Sequence, residues 1–373
     1  MVSDSWKTER LGNVATLQRG YDLPHRLRNA GPVPIVTSSG IEDMHYKAMV
    51  KGPGVVTGRY GTIGEVFFVH GDFWPLNTTL YVRDFHGNDP LFVSYLLRTI
   101  DFHSHSGKTG VPGVNRNDLH EIEVFIPPTT AEQEAIAGAL GDMDSLLESL
   151  EQVIVKKRHL KEGVMQELLP GKKRLPEFSG EWQQKRLDEL GESLIGLTYQ
   201  PSNVKSDGLL VLRASNIFQE ALRFEDNIFV DMEVPEAIIL RKGDILICVR
   251  NGSRDLIGKC ALINEEAQGM TFGAFMAVFR TPFYNFVYHQ FQSDLIKRQI
   301  NEHLGATINQ ITNKSLNSFQ IPFPVEEEER TAIAVILSDM DAEITTLEAK
   351  LGKARELKLG MMQDLLTGKV RLV

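Results

Sequence analysis

The chain contains one stretch that occurs twice, and this repeat constrains the fold more than any other feature. The first copy covers residues 132–175 and the second residues 329–372, so each is 44 residues long and the offset between them is 197. Twenty-three of the 44 positions are identical, and D-M-D, G-x-M-Q and L-L-x-G-K-x-R-L stay in register. Unrelated helices do not share such ends, so we interpret the stretch as an internal repeat.

Both copies predict a long helix with a coiled-coil seam. Apolar or small residues recur at alternating spacings of four and three, at Ile136, Leu140, Met143, Leu147, Leu150 and Ile154 and at Ile333, Leu337, Met340, Ile344, Leu347, Leu351 and Ala354. The pattern then predicts a phase slip to Leu160, Val164 and Leu168 and to Leu357, Met361 and Leu365. We expect the copies to pack on each other as a spacer with pseudo-two-fold symmetry, because neither seam is stable in water alone. Two unrelated helices, each packed on its own domain, are the alternative.

Composition sets the broad class of the protein. The chain has 373 residues, of which 42% are hydrophobic, and this predicts two to three domains with apolar cores. It lacks an apolar run of about 18 residues and the basic and apolar regions of a secretory signal, so we expect no transmembrane helix and no export. Cys248 and Cys260 lack metal-ligand spacing, and these features together predict a reducing, cytoplasmic location.

The net charge of −9 limits how the chain could bind nucleic acid. No segment of the chain is a basic domain, so any grip on DNA must come from local patches on a nearly neutral body. We therefore expect weak binding by the chain alone and a contribution from partner subunits.

The repeated helices alternate with two globular segments. We predict globular domains at residues 1–128 and 176–325 and spacer helices at residues 129–175 and 326–373. Both globular segments open on a Trp-x-x-x-Arg-Leu motif, at Trp6 and Trp182, and between their matched ends they share few residues. Similar frames with different contents are typical of modules that do the same job on different targets. Two ordinary α/β domains that diverged by drift would give the same pattern.

Polar loops in comparable places of the two globular segments are the candidate binding sites. Each segment has one such loop just after a strand, one between strands and one before its last strand. Arg can bind guanine with two hydrogen bonds, Asn and Gln can do so with adenine, and hydroxyls bind phosphate. Loops of this composition are also ordinary turns. The candidate DNA-binding residues are Thr37, Ser38, Ser39, Arg59, Tyr60, Thr62, Lys108, Asn115 and Arg116 in the first segment and Arg213, Ser215, Asn216, Arg250, Asn251, Ser253, Arg254, Asn309 and Gln310 in the second.

The sequence lacks the motifs that would make this chain an enzyme. It has no G-x-x-x-x-G-K-[ST] loop, no Asn-Pro-Pro-aromatic motif of an adenine methyltransferase and no G-x-G-x-x-G that opens a helix. His103 and His105 have no third metal ligand nearby. The charged residues around Glu348 fit an exposed helix face better than a nuclease site. We therefore predict no catalytic site, no metal and no cofactor in the chain itself.

Together these features resemble the specificity (S) subunit of type I restriction–modification systems. The resemblance covers the whole chain. It rests on the two variable segments, the repeated helices, their Ile-Pro entries and their L-L-x-G-K-x-R-L ends. One departure is Arg330, which takes the place of the glutamine that stands as Gln133 in the first helix entry.

The resemblance implies an α+β fold in which two α/β target-recognition domains are separated by two long antiparallel coiled-coil helices. Each domain would read one half of a split site in double-stranded DNA. The helices would set the gap and dock two methyltransferase (M) subunits, and restriction (R) subunits would join the complex. S-adenosylmethionine, the methyl donor, is expected on the M subunit. The chain would be a non-catalytic subunit without a membrane partner.

Three other functions stay open. A specificity subunit of a related methylation-only or defence system would share the fold, and its neighbouring genes would distinguish it. A coiled-coil adaptor that never reads bases would show no sequence preference on double-stranded DNA. A stand-alone enzyme is disfavoured by the missing motifs.

Overall fold

The computed structural model of the chain describes residues 6–106, 112–304 and 309–372. The chain forms two compact units: unit 1 contains residues 1–152 and 348–373, and unit 2 contains residues 153–347. Each of the two long helices has one part in each unit. Within the described ranges, no helix combines the length and the apolar character needed to span a membrane.

The described strands and helices follow a similar order in the two units. In unit 1 the strands are β1 (Lys7–Arg10), β2 (Thr16–Arg19), β3 (Val33–Thr37), β4 (Gly40–His45), β5 (Gly54–Gly58), β6 (Val66–Val69), β7 (Trp74–Pro75), β8 (Thr79–Asp84) and β9 (Glu123–Ile126). The helices that follow or interrupt them are α1 (Leu11–Val14), α2 (Pro90–Arg98), α3 (Arg116–His120) and α4 (Thr130–Leu168). In unit 2 the strands are β10 (Trp182–Arg186), β11 (Glu192–Ile195), β12 (Val204–Lys205), β13 (Leu209–Leu212), β14 (Ile217–Phe218), β15 (Ala221–Leu222), β16 (Phe229–Val230), β17 (Ile245–Cys248), β18 (Cys260–Leu262), β19 (Thr271–Phe272), β20 (Met276–Arg280) and β21 (Gln320–Pro324). Its helices are α5 (Leu187–Leu190), α6 (Tyr284–Gln292), α7 (Asp294–His303), α8 (Asn313–Ser318) and α9 (Glu327–Leu365).

Each unit contains a four-stranded antiparallel sheet with the same connectivity. The strand order is β2-β8-β5-β6 in unit 1 and β11-β20-β17-β18 in unit 2. A second sheet in each unit contains a parallel pair, β3 with β7 and β13 with β19. The opening and closing strands also pair, β1 with β9 and β10 with β21. The two globular segments therefore share one topology although they share few residues.

Apolar burial holds the start of each long helix to its own globular segment. In unit 1, Ile136 and Leu140 of α4 are fully buried in one cluster with Phe92 of α2 and Leu17 of β2. Burying a side chain of this size contributes about 1.5–3 kcal/mol. The corresponding cluster of unit 2 includes Ile247, Phe279, Phe291, Ile333 and Leu337.

Helices α4 and α9 run antiparallel within both units. Ion pairs join them, and along these pairs the residue number rises on α4 as it falls on α9. The pairs are Asp144–Lys358 and Glu151–Arg355 in unit 1 and Lys157–Glu343 and Lys161–Asp341 in unit 2. The predicted α+β fold, with two α/β segments and two long antiparallel helices, is confirmed.

The seam departs from the prediction after Ile154. Leu160 and Leu357, which the sequence placed in the seam, are 54% and 58% exposed. The seven-residue spacing instead continues without a slip and reaches Lys161 and Lys358, whose ammonium groups bind aspartates of the other helix. The predicted phase slip is wrong because a lysine occupies a seam position in each helix. A search for apolar residues at the seam spacing does not detect a charged residue there.

A buried carboxylate ties the start of α4 to the tail that follows α9. Glu132 is fully buried and accepts hydrogen bonds from Trp6 Nε1 at 3.2 Å and from Arg371 Nε and Nη2 at 2.8 and 2.7 Å. The hydrogen bonds from Arg371 hold the pKa of Glu132 below its ordinary value. Charge and donors therefore match at this buried site, as a buried ion requires.

The same arrangement recurs in unit 2, and we call both the Trp–Glu–Arg clasp. Glu329, at the start of α9, accepts from Trp182 Nε1 at 3.0 Å and from Arg174 Nε and Nη2 at 2.5 and 2.7 Å. Arg174 follows the C-terminal end of α4. The arginine of the repeated R-L ending therefore makes a structural contact in each unit, between the end of one repeat copy and the start of the other.

The repeated glycine of the G-K-x-R-L ending also has a local reason. Gly171 and Gly368 have φ angles of +70° and +69°, the left-handed conformation that ends many helices. A Cβ at either position would lie 3.1 or 3.0 Å from the ring of Trp182 or Trp6. Glycine therefore ends the helix and lets the chain pack against the tryptophan of the clasp.

The departure at Arg330 keeps the role of Gln133 by different contacts. Gln133 Nε2 donates to Asn88 Oδ1 at 2.8 Å and so ties α4 to its globular segment. The guanidinium of Arg330 lies 5.1 and 4.7 Å from the ring centres of Phe283 and Phe323, and these contacts join α9 to its own globular segment. Both residues anchor the entry of a long helix, one through an amide and the other through a cation on aromatic faces.

Candidate nucleic-acid interface

Two of the three candidate loops in each unit lie side by side. In unit 1 the loop after β5 meets the loop before α3, where Val114 N–H donates to the Arg59 carbonyl at 3.0 Å. In unit 2 the loop after β17 meets the loop before α8, where Ile311 N–H donates to the Val249 carbonyl at 2.8 Å. The sequence interpretation that these loops occupy comparable places is confirmed.

Backbone contacts also show which residues of the two units correspond. Tyr60 N–H donates to the Thr78 carbonyl, and Arg250 N–H donates to the Phe275 carbonyl, both at 3.1 Å. Tyr60 therefore corresponds to Arg250, and Thr78 corresponds to Phe275. An aromatic ring stands at this edge in both units, but it comes from a different loop in each.

The loops of unit 1 line an open pocket of ≈ 650 Å³. Four predicted residues lie on its wall: Arg59, Tyr60, Asn115 and Arg116. The Arg59 guanidinium lies 4.5 Å from the centre of the Tyr60 ring, which is a cation–π contact. Gly113 permits this packing, because a Cβ there would lie 2.5 Å from the ring.

The pocket also contains residues that the sequence interpretation missed, notably Arg19, His105 and Asp118. Arg19 ends β2 and precedes Gly20, where a Cβ would lie 2.1 Å from the Leu76 carbonyl oxygen. The sequence did carry a signal for this close approach, because Gly20 has a counterpart in Gly196, which directly follows β11.

Hydroxyl groups from two loops meet beside this pocket. Ser39 Oγ lies 3.3 Å from Thr62 Oγ1, and a Cβ on Gly58 would lie 3.2 Å from the Cβ of Ser38. Ser39 and Thr62 are exposed and Ser38 is half-buried. These three residues fit the predicted role of hydroxyl donors to phosphate. Lys108 lies outside the described residues.

In unit 2 the exposed face is built around Arg250 and Phe275. The Arg250 guanidinium lies 4.9 Å from the centre of the Phe275 ring, and that ring is 56% exposed. Gln310 is exposed and forms a backbone bridge with Arg250. Asn309 is half-buried, and its Nδ2 donates to the Gly252 carbonyl at 3.2 Å.

The other predicted residues of the loop after β17 have two different roles: one holds the shape of the turn and two are exposed. The Asn251 side chain accepts from Ser253 N–H at 3.0 Å and so shapes the turn. Ser253 and Arg254 are exposed, and Arg254 Nη2 donates to the Asn301 carbonyl at 3.4 Å. Of these three residues, Ser253 and Arg254 are therefore accessible, as Arg250 is.

Thr37 and Asn216 do not fit the predicted contact set, because both side chains are buried. Thr37 Oγ1 donates to the Gly40 carbonyl at 3.1 Å. Asn216 accepts from Arg213 N–H at 2.9 Å and donates to the Arg223 carbonyl at 3.0 Å. Short polar side chains at turns often bind their own backbone in this way. The prediction confused residues that shape a loop with residues that face out of it.

Arg213 and Ser215 differ in their availability. Arg213 is half-buried, and its Nη2 pairs with Asp226 Oδ2 at 2.7 Å. Ser215 is exposed. Arg213 is thus partly neutralised by a carboxylate, whereas Ser215 can meet a ligand.

His120 fixes the helix that carries Asn115 and Arg116. Its Nε2 accepts from Leu17 N–H at 2.9 Å, which joins α3 to β2. Burial, together with the nearby Arg116 charge, holds the pKa of His120 below its ordinary value. The ring therefore stays neutral and remains an acceptor, which keeps Arg116 and Arg19 at one edge.

Comparison with known proteins links these observations to one family. The family model for the type I restriction modification DNA specificity domain matches residues 3–156 and 179–356. The specificity subunit of the type I restriction enzyme MjaVIII of Methanocaldococcus jannaschii is 26% identical over 301 residues, covering 76% of this chain and 70% of that protein. The specificity subunit of the Escherichia coli enzyme EcoKI is 29% identical over 184 residues, covering 47% of this chain and 39% of that protein.

Solved structures show the same fold. The S subunit of the type I restriction–modification system of M. genitalium aligns with a TM-score of 0.67 at 15% identity, covering 96% of both chains. A chain from a study of complex assembly and conformational transition of the type I R-M system aligns with a TM-score of 0.55 at 17% identity. That alignment covers 99% of this chain and 100% of the other.

Proposed function

The chain belongs to the type I restriction modification DNA specificity family, and from this premise we propose that units 1 and 2 each read one half of a bipartite site in double-stranded DNA. Membership of the family also confirms the prediction of a non-catalytic specificity subunit of a type I restriction–modification system. The residues that read the bases are those at the loop edges of the two units.

One observation carries the proposal: both units present an arginine stacked on an aromatic ring at the same loop edge. Arg59 lies on Tyr60 and Arg250 lies on Phe275. Within the described ranges neither arginine is ion-paired, whereas Arg280 is bound to a carboxylate at 2.7 Å. A guanidinium without a carboxylate partner keeps its donors available for a base edge or a phosphate.

The partners of this complex are part of the proposal. We infer that two methyltransferase (M) subunits dock on the long helices and hold the methyl donor S-adenosylmethionine, and that restriction (R) subunits join them in the cytoplasm. The repeat supports two equivalent docking sites, because Leu160 and Leu357 occupy the same repeat position and are both exposed. The acidic chain supports a need for partners, since cations provide much of the affinity for DNA.

Selection from a random duplex library, with the chain bound to its methyltransferase partner, tests base reading. We expect a split motif. Arg59→Ala should relax base preference in one half and Arg250→Ala in the other, each with a loss of about 1–3 kcal/mol at one base pair, because an arginine contact to a base edge is removed.

Matched controls are Arg10→Ala and Arg298→Ala, which remove exposed arginines from β1 and α7. Both should leave the motif unchanged. A motif that is untouched by Arg59→Ala and Arg250→Ala would reject these loops as the readers, and the absence of any motif would reject base reading.

A further inference from the structure

We propose that the two units read different base chemistry at one equivalent position: unit 1 binds guanine through arginines, and unit 2 binds the C5-methyl group of thymine through Ile195 and Phe275. This inference rests on the proposed function and deepens it. It assigns binding roles to Ile195, Phe275 and Arg19, which the sequence interpretation did not include.

The equivalence of Arg19 and Ile195 follows from the sheet register. Each ends the edge strand of its four-stranded sheet, β2 or β11. Each is followed by a glycine at which a Cβ would lie 2.1 Å from a backbone carbonyl oxygen, of Leu76 beside Gly20 and of Gly273 beside Gly196. The backbone at this edge is therefore the same in both units while the side chain is opposite in character.

The unit 1 position is cationic. Arg19, Arg59 and Arg116 line its pocket together with one carboxylate, Asp118, so the arginines outnumber the acid three to one. Arg19 has an ion pair with Asp22 at 3.3 Å, but both side chains are at least half exposed, and such surface pairs are weak. Three guanidinium groups around one opening match the two acceptors, O6 and N7, that guanine shows in the major groove.

The unit 2 position is apolar. Ile195 is 65% exposed and Phe275 is 56% exposed. Ile195 pairs with Ala277 across the sheet, and Phe275 lies in the turn that leads into β20, two residues before Ala277, so Ile195 and Phe275 lie at the same end of the sheet. Single exposed apolar side chains are common, but two at the same end of the sheet, one of them stacked with Arg250, form a surface.

The polar groups beside this surface specify the rest of the base pair. Gln310 is exposed and is bridged to Arg250. In the major groove an A·T pair shows a methyl group on thymine and, on adenine, an acceptor and a donor that suit an amide side chain. Ile195 and Phe275 would contact the methyl group and Gln310 the adenine, so we commit to an A·T pair as the occupant.

Base analogues test this assignment directly on the complex of the chain with its methyltransferase partner. The probe is the selected duplex with one thymine of the unit 2 half-site replaced by deoxyuridine, which lacks only the C5-methyl group. Binding should weaken about fourfold at one position. Phe275→Ala should weaken binding to the thymine duplex and remove most of the difference between thymine and uracil. In the unit 1 half-site, 7-deazaguanine, which lacks the N7 acceptor, should weaken binding about fivefold.

The matched control is Val325→Ala, which trims an exposed apolar residue just after β21 and should keep the full difference between thymine and uracil. The half-sites are assigned to units by the half that Arg250→Ala relaxes. A unit 2 half-site without an A·T pair would overturn the inference, as would equal binding of thymine and uracil at every position. A thymine–uracil difference that survives both Phe275→Ala and Ile195→Ala would also overturn it. The absence of any selected motif would instead reject the proposed function together with this inference.

Discussion

Glu132 and Glu329 show how one residue type, repeated at a fixed offset, organises a unit. Each is a fully buried carboxylate whose charge is matched by an arginine and by a tryptophan N–H. Removing one partner leaves either a buried carboxylate without its matching charge or an arginine without the carboxylate that it binds. The identity of the repeated glutamate therefore has a structural cause.

Glu329→Gln should destabilise unit 2 by about 1–3 kcal/mol, because Arg174 loses the charge that it binds with two hydrogen bonds. The measurement is urea unfolding of the full chain. Glu328→Gln is the matched control, since this neighbouring glutamate is exposed, and it should change the free energy of unfolding by less than about 0.5 kcal/mol. Equal effects of the two substitutions would contradict the clasp.

His289 makes unit 2 sensitive to mild acid. The ring is buried, with Ser338 Oγ at 3.2 Å from Nε2 and Asp341 Oδ2 at 3.9 Å from Nδ1. Burial and the nearby Lys161 charge lower the pKa of His289 to about 3. Burial raises the pKa of Asp341. The histidine therefore stays neutral in the folded chain at any pH near neutrality.

The sign of the pH effect follows from proton uptake. The unfolded chain protonates this histidine near pH 6.5, whereas the folded chain does not until about pH 3. Stability is therefore lost as the pH falls through 6.5, by about 1.4 kcal/mol between pH 7.5 and 5.5. Urea unfolding at these two pH values should show this loss, and His289→Gln should remove it. Asp341 acts in the opposite direction and is present in both proteins, so the difference between them isolates His289. Parallel pH profiles would reject this role.

At the scale of elements, the long helices could be predicted from sequence and the details of their seam could not. Ile136 and Leu140 revealed the helix because apolar spacing records which face is buried. Lys161 was missed because its burial depends on Asp341, a partner 180 residues away in the chain. The boundaries predicted for the four segments stay a prediction, although α4 and α9 lie inside the two segments assigned to spacers.

The candidate loops show the same division. Arg59 and Asn115 could be predicted as exposed loop residues, because turns that contain glycine and polar residues usually lie at the surface. Ile195 and Phe275 could not, since an apolar residue at a strand end looks like core until the sheet register is known. Thr37 and Asn216 have the composition of a contact residue but turn inward. Residue type predicts which loops can bind, and only the fold decides which side chains face out.

Deleting one heptad from each long helix should shorten the gap between half-sites and leave the half-sites unchanged. Residues 145–151 and 351–357 are suitable, because they are opposed in unit 1 and contain the Glu151–Arg355 ion pair. Seven residues correspond to about 10 Å of helix, or about three base pairs. Methylome sequencing of cells carrying the deleted chain measures the gap. The control is a chain of unchanged length in which seven exposed residues of the same segments are replaced by alanine. An unchanged gap would reject the helices as the spacer.

At the scale of the whole molecule, the chain is one module used twice. The same sheet order, the same clasp and the same loop edge recur, while the side chains at the edge differ. Arg19 against Ile195 is the clearest case. A duplicated frame with unlike reading surfaces is suited to an asymmetric, two-part DNA site, and it explains why the ends of the repeat are shared while the interiors of the modules are not.

The central claim, that this chain supplies the sequence specificity of a methylating complex, is tested most directly by methylome sequencing. A plasmid is sequenced after co-expression of the cognate methyltransferase subunit with the chain or without it. The account predicts a split motif that is methylated on both strands and is lost when the chain is omitted. A complex that assembles normally but produces no motif that depends on the chain would contradict the account and leave a coiled-coil adaptor.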